Sequence, residues 1–154
     1  MTTLPADPGS DGRVFVTRVE DGPALAGDLF HQIFGGTPPR HPRHYVAFSR
    51  KIDGLFRVVG YFHVDFEAEY ALVGGLCVDP AFRGRGIGQA LELAPESEAD
   101  GALAFFAYAG NPSRATRIGY QPTDHPNLLV KWLAPSAEDE QARFIAEVAA
   151  RGPF

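Results

Sequence analysis

Gly74 to Ala94 reads GGLCVDPAFRGRGIGQALELA. Leu76 and Val78 alternate with Cys77 and Asp79, the period of a strand. Pro80 has no N–H to donate, so the ladder stops there. A glycine-rich loop, Arg83-Gly84-Arg85-Gly86-Ile87-Gly88, follows at once. Ile87, Ala90, Leu91 and Ala94 then recur at i, i+3, i+4 and i+7, the spacing of one buried helical face. The stretch predicts a strand, a loop and a helix in immediate succession.

Such a loop suits an anion. Glycines let backbone approach a ligand with no Cβ between them. The first helical turn offers unpaired N–H groups and the positive end of the helix dipole. Arg83 and Arg85 add charge suited to phosphate oxygens. A tight strand-to-helix turn with solvated arginines explains the glycine spacing equally well. Two nucleotide motifs are excluded: no GxxxxGK[ST] string exists, and Gly84, Gly86 and Gly88 are spaced GxGxG rather than GxGxxG.

The chain has 154 residues, 45% of them apolar and 21% charged, which suits one soluble domain with its own core. We expect a flexible lead-in over 1–11, where Pro, Gly, Asp and Thr dominate, and a single domain over 12–154. A net charge of -5 argues against nucleic acid as the main partner and favours a neutral or cationic substrate. The basic clusters at Arg40–Arg43 and Arg83–Arg85 are local. Cys77 is the one cysteine, so no internal disulfide forms, and its apolar strand favours a buried thiol over a nucleophile. The start of the chain lacks the basic and apolar regions of a signal peptide, and no apolar run is long enough to cross a membrane. These features predict a cytoplasmic protein without a membrane partner.

Around the central stretch the elements fall in the order β-α-β-β-β-α-β-(short helix)-β-α. Val14–Val19 is a first strand. Asp21-Gly22-Pro23 opens a helix whose Leu25, Ala26, Leu29, Phe30, Ile33 and Phe34 form the inner face, and Gly35-Gly36 ends it. Thr37–His44 is a proline-rich loop; its histidines lack a carboxylate or cysteine at ligand spacing, so no metal is expected. Tyr45–Ser49 and Phe56–Phe66 flank Asp53-Gly54, a hairpin signal. On Phe56–Phe66 the alternation puts Val58, Gly60 and Phe62 on one face, and Val59, Tyr61 and His63 on the other. Tyr70–Asp79 delivers the motif. Pro95 ends or kinks the next helix. Ala102–Tyr108 is apolar throughout, as a strand covered on both faces would be. Leu128–Leu133 is a last strand, and Ser136 is placed to cap a final helix.

Val78-Asp79-Pro80-Ala81-Phe82-Arg83-Gly84-Arg85-Gly86-Ile87-Gly88-Gln89-Ala90 resembles motif A of the GNAT superfamily of acyl-CoA-dependent N-acyltransferases, V-x-P-x-x-[RQ]-x-x-G-x-[GA], with every fixed position met. The resemblance covers roughly Val14 to Leu133. It implies an α/β (α+β) fold with a central mixed, mostly antiparallel sheet flanked by helices, here with an extra C-terminal helix. It implies that Arg83, Gly84, Arg85, Gly86, Ile87, Gly88 and Gln89 hold the pyrophosphate of acetyl-CoA. Backbone around Leu76, Cys77 and Val78 would pair with the pantetheine and orient the thioester, and Asn111 would lie near the pantetheine. The implied reaction is acetyl transfer to a primary amine of a small molecule or peptide, with no nucleic acid and no metal involved.

The family's usual tyrosine acid and strand glutamate correspond here to Ala115 and Leu72, neither of which can carry a proton. Tyr108 or Tyr120 is then the substitute acid, and Glu69, Glu67, His63 or Asp65 the substitute base; Glu69 and Tyr108 are the candidates carried forward. Each also reads as an ordinary packed aromatic or surface hairpin residue. A non-catalytic acyl-CoA-binding module is the alternative. The acceptor and the choice between monomer and homodimer stay open.

Overall fold

The computed structural model describes residues 2–4, 10–40, 42–51, 55–67, 69–99, 101–109 and 118–153. In chain order they form β1 (Thr2–Leu4), β2 (Ser10–Val19), α1 (Gly22–Phe34), β3 (Arg43–Lys51), β4 (Phe56–Phe66), β5 (Tyr70–Val78), a 3-10 turn over Pro80–Phe82, α2 (Ile87–Leu93), a second 3-10 turn over Ala94–Glu98, β6 (Ala104–Tyr108), β7 (Gln121–Pro122), β8 (Leu128–Trp132) and α3 (Glu138–Arg151). Contacts divide the chain into two compact units, one of residues 1–64 and 75–98, the other of 65–74 and 99–154. By these ranges β4 and β5 contribute residues to both.

In the first unit the strands lie in the order β1-β2-β3-β4-β5. Neighbours from β1 to β4 are antiparallel. The first strand thus begins at Ser10 rather than Val14 and pairs with β1. The expected hairpin is present, with Arg50 opposite Phe56; its Asp53-Gly54 turn lies outside the described residues. Helix α1 starts as its sequence dictates. The Asp21 carboxylate accepts from the Ala24 N–H at 3.0 Å, and Gly35 closes the helix at φ 78° with its N–H on the His31 carbonyl. Ala26 and Leu29 of α1 pack on Val46, Tyr61 and Cys77, with Phe30, Ile33 and Val58 at the margin of the cluster.

Val58 does not share the face of Gly60, as simple alternation predicted. Ala47 pairs with Gly60 but the next residue, Phe48, pairs with Val58. One extra residue, Val59, is therefore inserted into β4, and such a bulge reverses the alternation beyond it. The other face, at Gly60, receives α2: a Cβ there would come 2.7 Å from the Leu91 side chain and 3.2 Å from that of Ile87. Only glycine allows this approach. The far end of α2 is also fixed. Its helical bonds give way at Pro95 to the 3-10 turn, whose Glu98 accepts from Arg18 at 3.1 Å and from the Tyr45 hydroxyl at 3.4 Å.

In the second unit the order is β5-β6-β8-β7. β5 and β6 run parallel, Tyr70 opposite Ala104, and β6 and β8 antiparallel. Their apolar faces enclose Tyr70, Leu72, Ala104, Phe106, Leu128 and Val130, and Phe144 and Val148 of α3 cover them. Strand β7 had no counterpart in the sequence reading; it is two residues long and carries Pro122, which suits an edge. Ser136 does not cap α3. The cap position is Ala137, which makes no side-chain bond, and the Ser136 hydroxyl is buried without a partner among the described residues. Glu138, Asp139 and Glu140 in the first turn complement the positive end of the helix dipole instead. The short helix expected after Asn111 falls on residues 111–117, outside the described residues.

The fold class is the expected one: α/β, with mixed and mostly antiparallel strand pairing, helices against the strands and an added C-terminal helix.

Candidate cofactor-binding site

Strand β5 ends at Val78, and the chain turns at once around Asp79. The Asp79 carboxylate accepts from the Ala81 N–H at 2.9 Å and pairs with the Arg57 guanidinium, while its own N–H donates to the Val59 carbonyl at 2.8 Å. The bulge residue of β4 thus sets where the turn begins. Sequence reasoning took Asp79 only as part of the alternation at the end of a strand. The Asp-Pro pair opening a turn was the signal that marked it as a cap. Phe82 is buried under the turn, with the guanidinium carbons of Arg57 and Arg85 at 5.5 and 5.3 Å from its ring centre.

The loop then climbs through left-handed backbone, φ 79° at Gly84 and 81° at Gly86. A Cβ at either glycine would meet nothing within 4 Å, so backbone conformation requires glycine there. Gly86 is the N-cap of α2 and makes no side-chain cap bond; its carbonyl accepts the helix's first bond, from the Ala90 N–H at 3.0 Å. The N–H groups of Ile87, Gly88 and Gln89 therefore have no intrahelical carbonyl to bond. Ile87 and Gly88 are buried, which fixes the direction of these groups, while Gly84, Gly86 and Gln89 are exposed. The Arg83 guanidinium donates to the Val78 carbonyl at 3.2 Å and the Arg85 guanidinium to the Ala81 carbonyl at 3.3 Å, so both lie against the loop. The structure brings Leu76 to Gln89 together as one strand–turn–helix unit whose exposed rim is positively charged. Its chemistry suits the binding of phosphate oxygens.

Cys77 is a core residue of this unit, and burial pushes its thiol up to about 11. It offers backbone, not a thiolate. Among the described residues no group of three or more His, Cys, Asp or Glu side chains is placed to hold a metal ion. Asn111 lies outside the described residues.

Of the catalytic candidates, Glu67, Glu69 and Tyr108 belong to the second unit and His63 to the first. Glu69 stands between β4 and β5, and its carboxylate accepts from Arg143 of α3 at 3.1 Å. Glu67 pairs in the same way with Arg151 at 2.6 Å. Tyr108 ends β6 opposite Leu128 and is partly buried. Leu72 is 2% exposed within the apolar cluster.

Comparison with known proteins follows the same lines. The family model described as acetyltransferase (GNAT) family matches residues 15–112. No curated protein sequence matches the chain at significance. Similar solved structures include N-acetylglutamate synthase of Neisseria gonorrhoeae complexed with coenzyme A and L-arginine (16% identity, 79% of this chain and 34% of that chain, TM-score 0.59). The GNAT N-acetyltransferase YhbS of Escherichia coli in complex with CoA also matches (17% identity, 84% of this chain and 85% of that chain, TM-score 0.57). So does the KacTA–DNA complex (17% identity, 87% of this chain and 99% of that chain, TM-score 0.58). At these identities the structural likeness is one of fold. The family model spans more than half of the chain, and so the protein belongs to the acetyltransferase (GNAT) family and is an acyltransferase.

Proposed function

We propose that the protein transfers an acetyl group from acetyl-CoA to a primary amine of a small molecule or peptide, by direct attack within a ternary complex. The observation that carries this reading is the turn at Gly84–Gly86. Two left-handed glycines present the first-turn N–H groups of α2 and two arginines at the end of β5. Arg83, Gly84, Arg85, Gly86, Ile87, Gly88 and Gln89 would hold the pyrophosphate, and the backbone of Leu76, Cys77 and Val78 would orient the thioester; Asn111 would sit beside the pantetheine. Acetyl-CoA supplies the activated acyl group. The chain's own part is to hold both reactants and to polarise the carbonyl through backbone donors. Tyr108 is the proposed proton donor to the departing thiolate. Glu69 is a base only when its pair with Arg143 opens. In this reading residues 12–154 act as one acyltransferase domain in the cytoplasm, with neither nucleic acid nor membrane as substrate.

A calorimetric titration with acetyl-CoA and CoA, beside ATP and NAD, tests the loop. Both thiol cofactors should bind, and Gly86→Glu should weaken them roughly 100-fold or more, about 2.7 kcal/mol, with the fold intact. A side chain there is strained at φ 81°, and its carboxylate meets the anion. Failure of both cofactors to bind would end the acyltransferase reading. The alternative, an acyl-CoA-binding module without turnover, is favoured by the buried Leu72 and the paired Glu69. It predicts saturable CoA binding with no thiol release across primary amines.

A further inference from the structure

Beneath α1 the first unit carries a set of polar rings inside an otherwise apolar cluster. His44 and His63 stand directly opposite on β3 and β4. The His44 Nδ1 lies 2.6 Å from the Tyr61 hydroxyl. His44 is 1% exposed and Tyr61 fully buried. The rings of Tyr61 and His63 are 6.1 Å apart. His63 Nδ1 and His44 Nε2 are buried with no hydrogen-bond partner among the described residues. Buried polar atoms left this way are rare and need a reason, because each forfeits its bonds to water.

The position of His63 supplies one. Its Cδ2–Nε2 edge packs on Gly75 so closely that a Cβ at Gly75 would come 2.5 Å from Cδ2 and 2.8 Å from Nε2. Gly75 takes φ 67° inside β5 and immediately precedes Leu76, the start of the backbone assigned above to the thioester. A glycine is thus required twice at this point, by backbone and by the imidazole lying on it. Glu67 and Glu69, by contrast, are held in ion pairs.

We propose that His63 receives the acceptor amine beside Gly75 and takes its proton as the amide forms, with His44 and Tyr61 positioning the ring. This rests on the acyltransferase reading. The amine nitrogen forms the C–N bond and the C–S bond breaks. The imidazole takes the proton released by nitrogen and passes it to water, and the departing thiolate takes a proton drawn from water, so that both groups are restored. Burial, with His44 adding to it, lowers His63 to about 4, so the ring is neutral and able to accept at neutral pH. The surrounding groups act on its partners. Asp21 at the start of α1 and the Arg40 carbonyl raise His44 against a larger lowering by burial. From β5, Cys77 adds to the burial that raises Tyr61, and Arg83 counters the raised Cys77 thiol.

The test uses the full chain. Wild type, His63→Gln and His63→Asn are titrated with CoA, then assayed for thiol release from acetyl-CoA with methylamine, spermidine, glycinamide and lysine amide. We expect kcat to fall about 100-fold or more in both variants, CoA affinity to hold, and added imidazole to restore part of the rate. Variants that keep wild-type kcat and its pH profile overturn the proposal. Should neither variant fold, imidazole nitrogen resonances of wild type bearing CoA decide. They should move when the amines are added, and unmoved resonances overturn it. A wild type that binds no CoA, or releases no thiol with any amine, defeats the acyltransferase reading instead.

Discussion

The two units solve the same packing problem with opposite chemistry. In the second, six buried apolar side chains close around Phe144 and Val148, the pairs Glu67–Arg151 and Glu69–Arg143 stand at the rim, and the Ser136 hydroxyl is a lone buried polar group among the described residues. In the first, the cluster under α1 encloses His44 and Tyr61 along with Val46 and Ala26. A core built only for stability has no use for imidazoles with unpartnered nitrogens, since each costs desolvation that a leucine would not. The first unit, which also carries the Gly84–Gly86 loop, thus holds imidazole and phenol groups within its core. The core cluster of the second is apolar.

The contrast can be broken at several points. Phe144→Ala removes the largest fully buried side chain of α3, and should cost about 3–5 kcal/mol. Trp132 stacks on Phe144 with centroids 6.5 Å apart and is the only tryptophan, so its fluorescence in urea reads this loss directly. A smaller loss would mean that α3 is dispensable to its unit.

Acid should find the first unit first. His63 is lowered to about 4 in the fold, against 6.5 for an ordinary histidine, so the unfolded chain binds the extra proton between these values. Its contribution is complete above pH 6.5 and is lost as pH falls through about 4. The full loss is on the order of 3 kcal/mol. Urea midpoints that do not fall between pH 7 and 4.5 would contradict this. Tyr61→Phe should cost about 1–3 kcal/mol, because it strands the His44 Nδ1 inside the core; equal stability of the variant would show that the bond contributes nothing. Arg143→Ala should scarcely move the midpoint, since its pairs are exposed, and high salt should abolish even that change.

Much of the loop was legible because its determinants are local. Gly84, Gly86 and the Ile87–Leu91 spacing dictate backbone and helix start from neighbours alone, and Asp21, Pro23 and Gly35 did the same for α1. The misreadings came where a distant partner decides. Val58 changed face because β3 and β4 differ by one residue in their pairing. Ser136 resembles a cap in sequence, yet its hydroxyl is buried away from the helix N–H groups. Glu67 and Glu69 read as surface acids on a turn, and only the approach of α3 showed that Arg151 and Arg143 hold them.

The sequence by itself determined the order of the long strands and helices, though not β1 or β7, together with the family and the loop that suits a pyrophosphate, since those rest on side-chain period and on the conformations that glycine and proline allow. Tertiary structure alone decided which carboxylates are engaged, that Asp79 and Arg57 hold the turn, and that His44 and His63 meet across a strand pair. A histidine's surroundings are set by residues far away in the chain, and no local pattern records them.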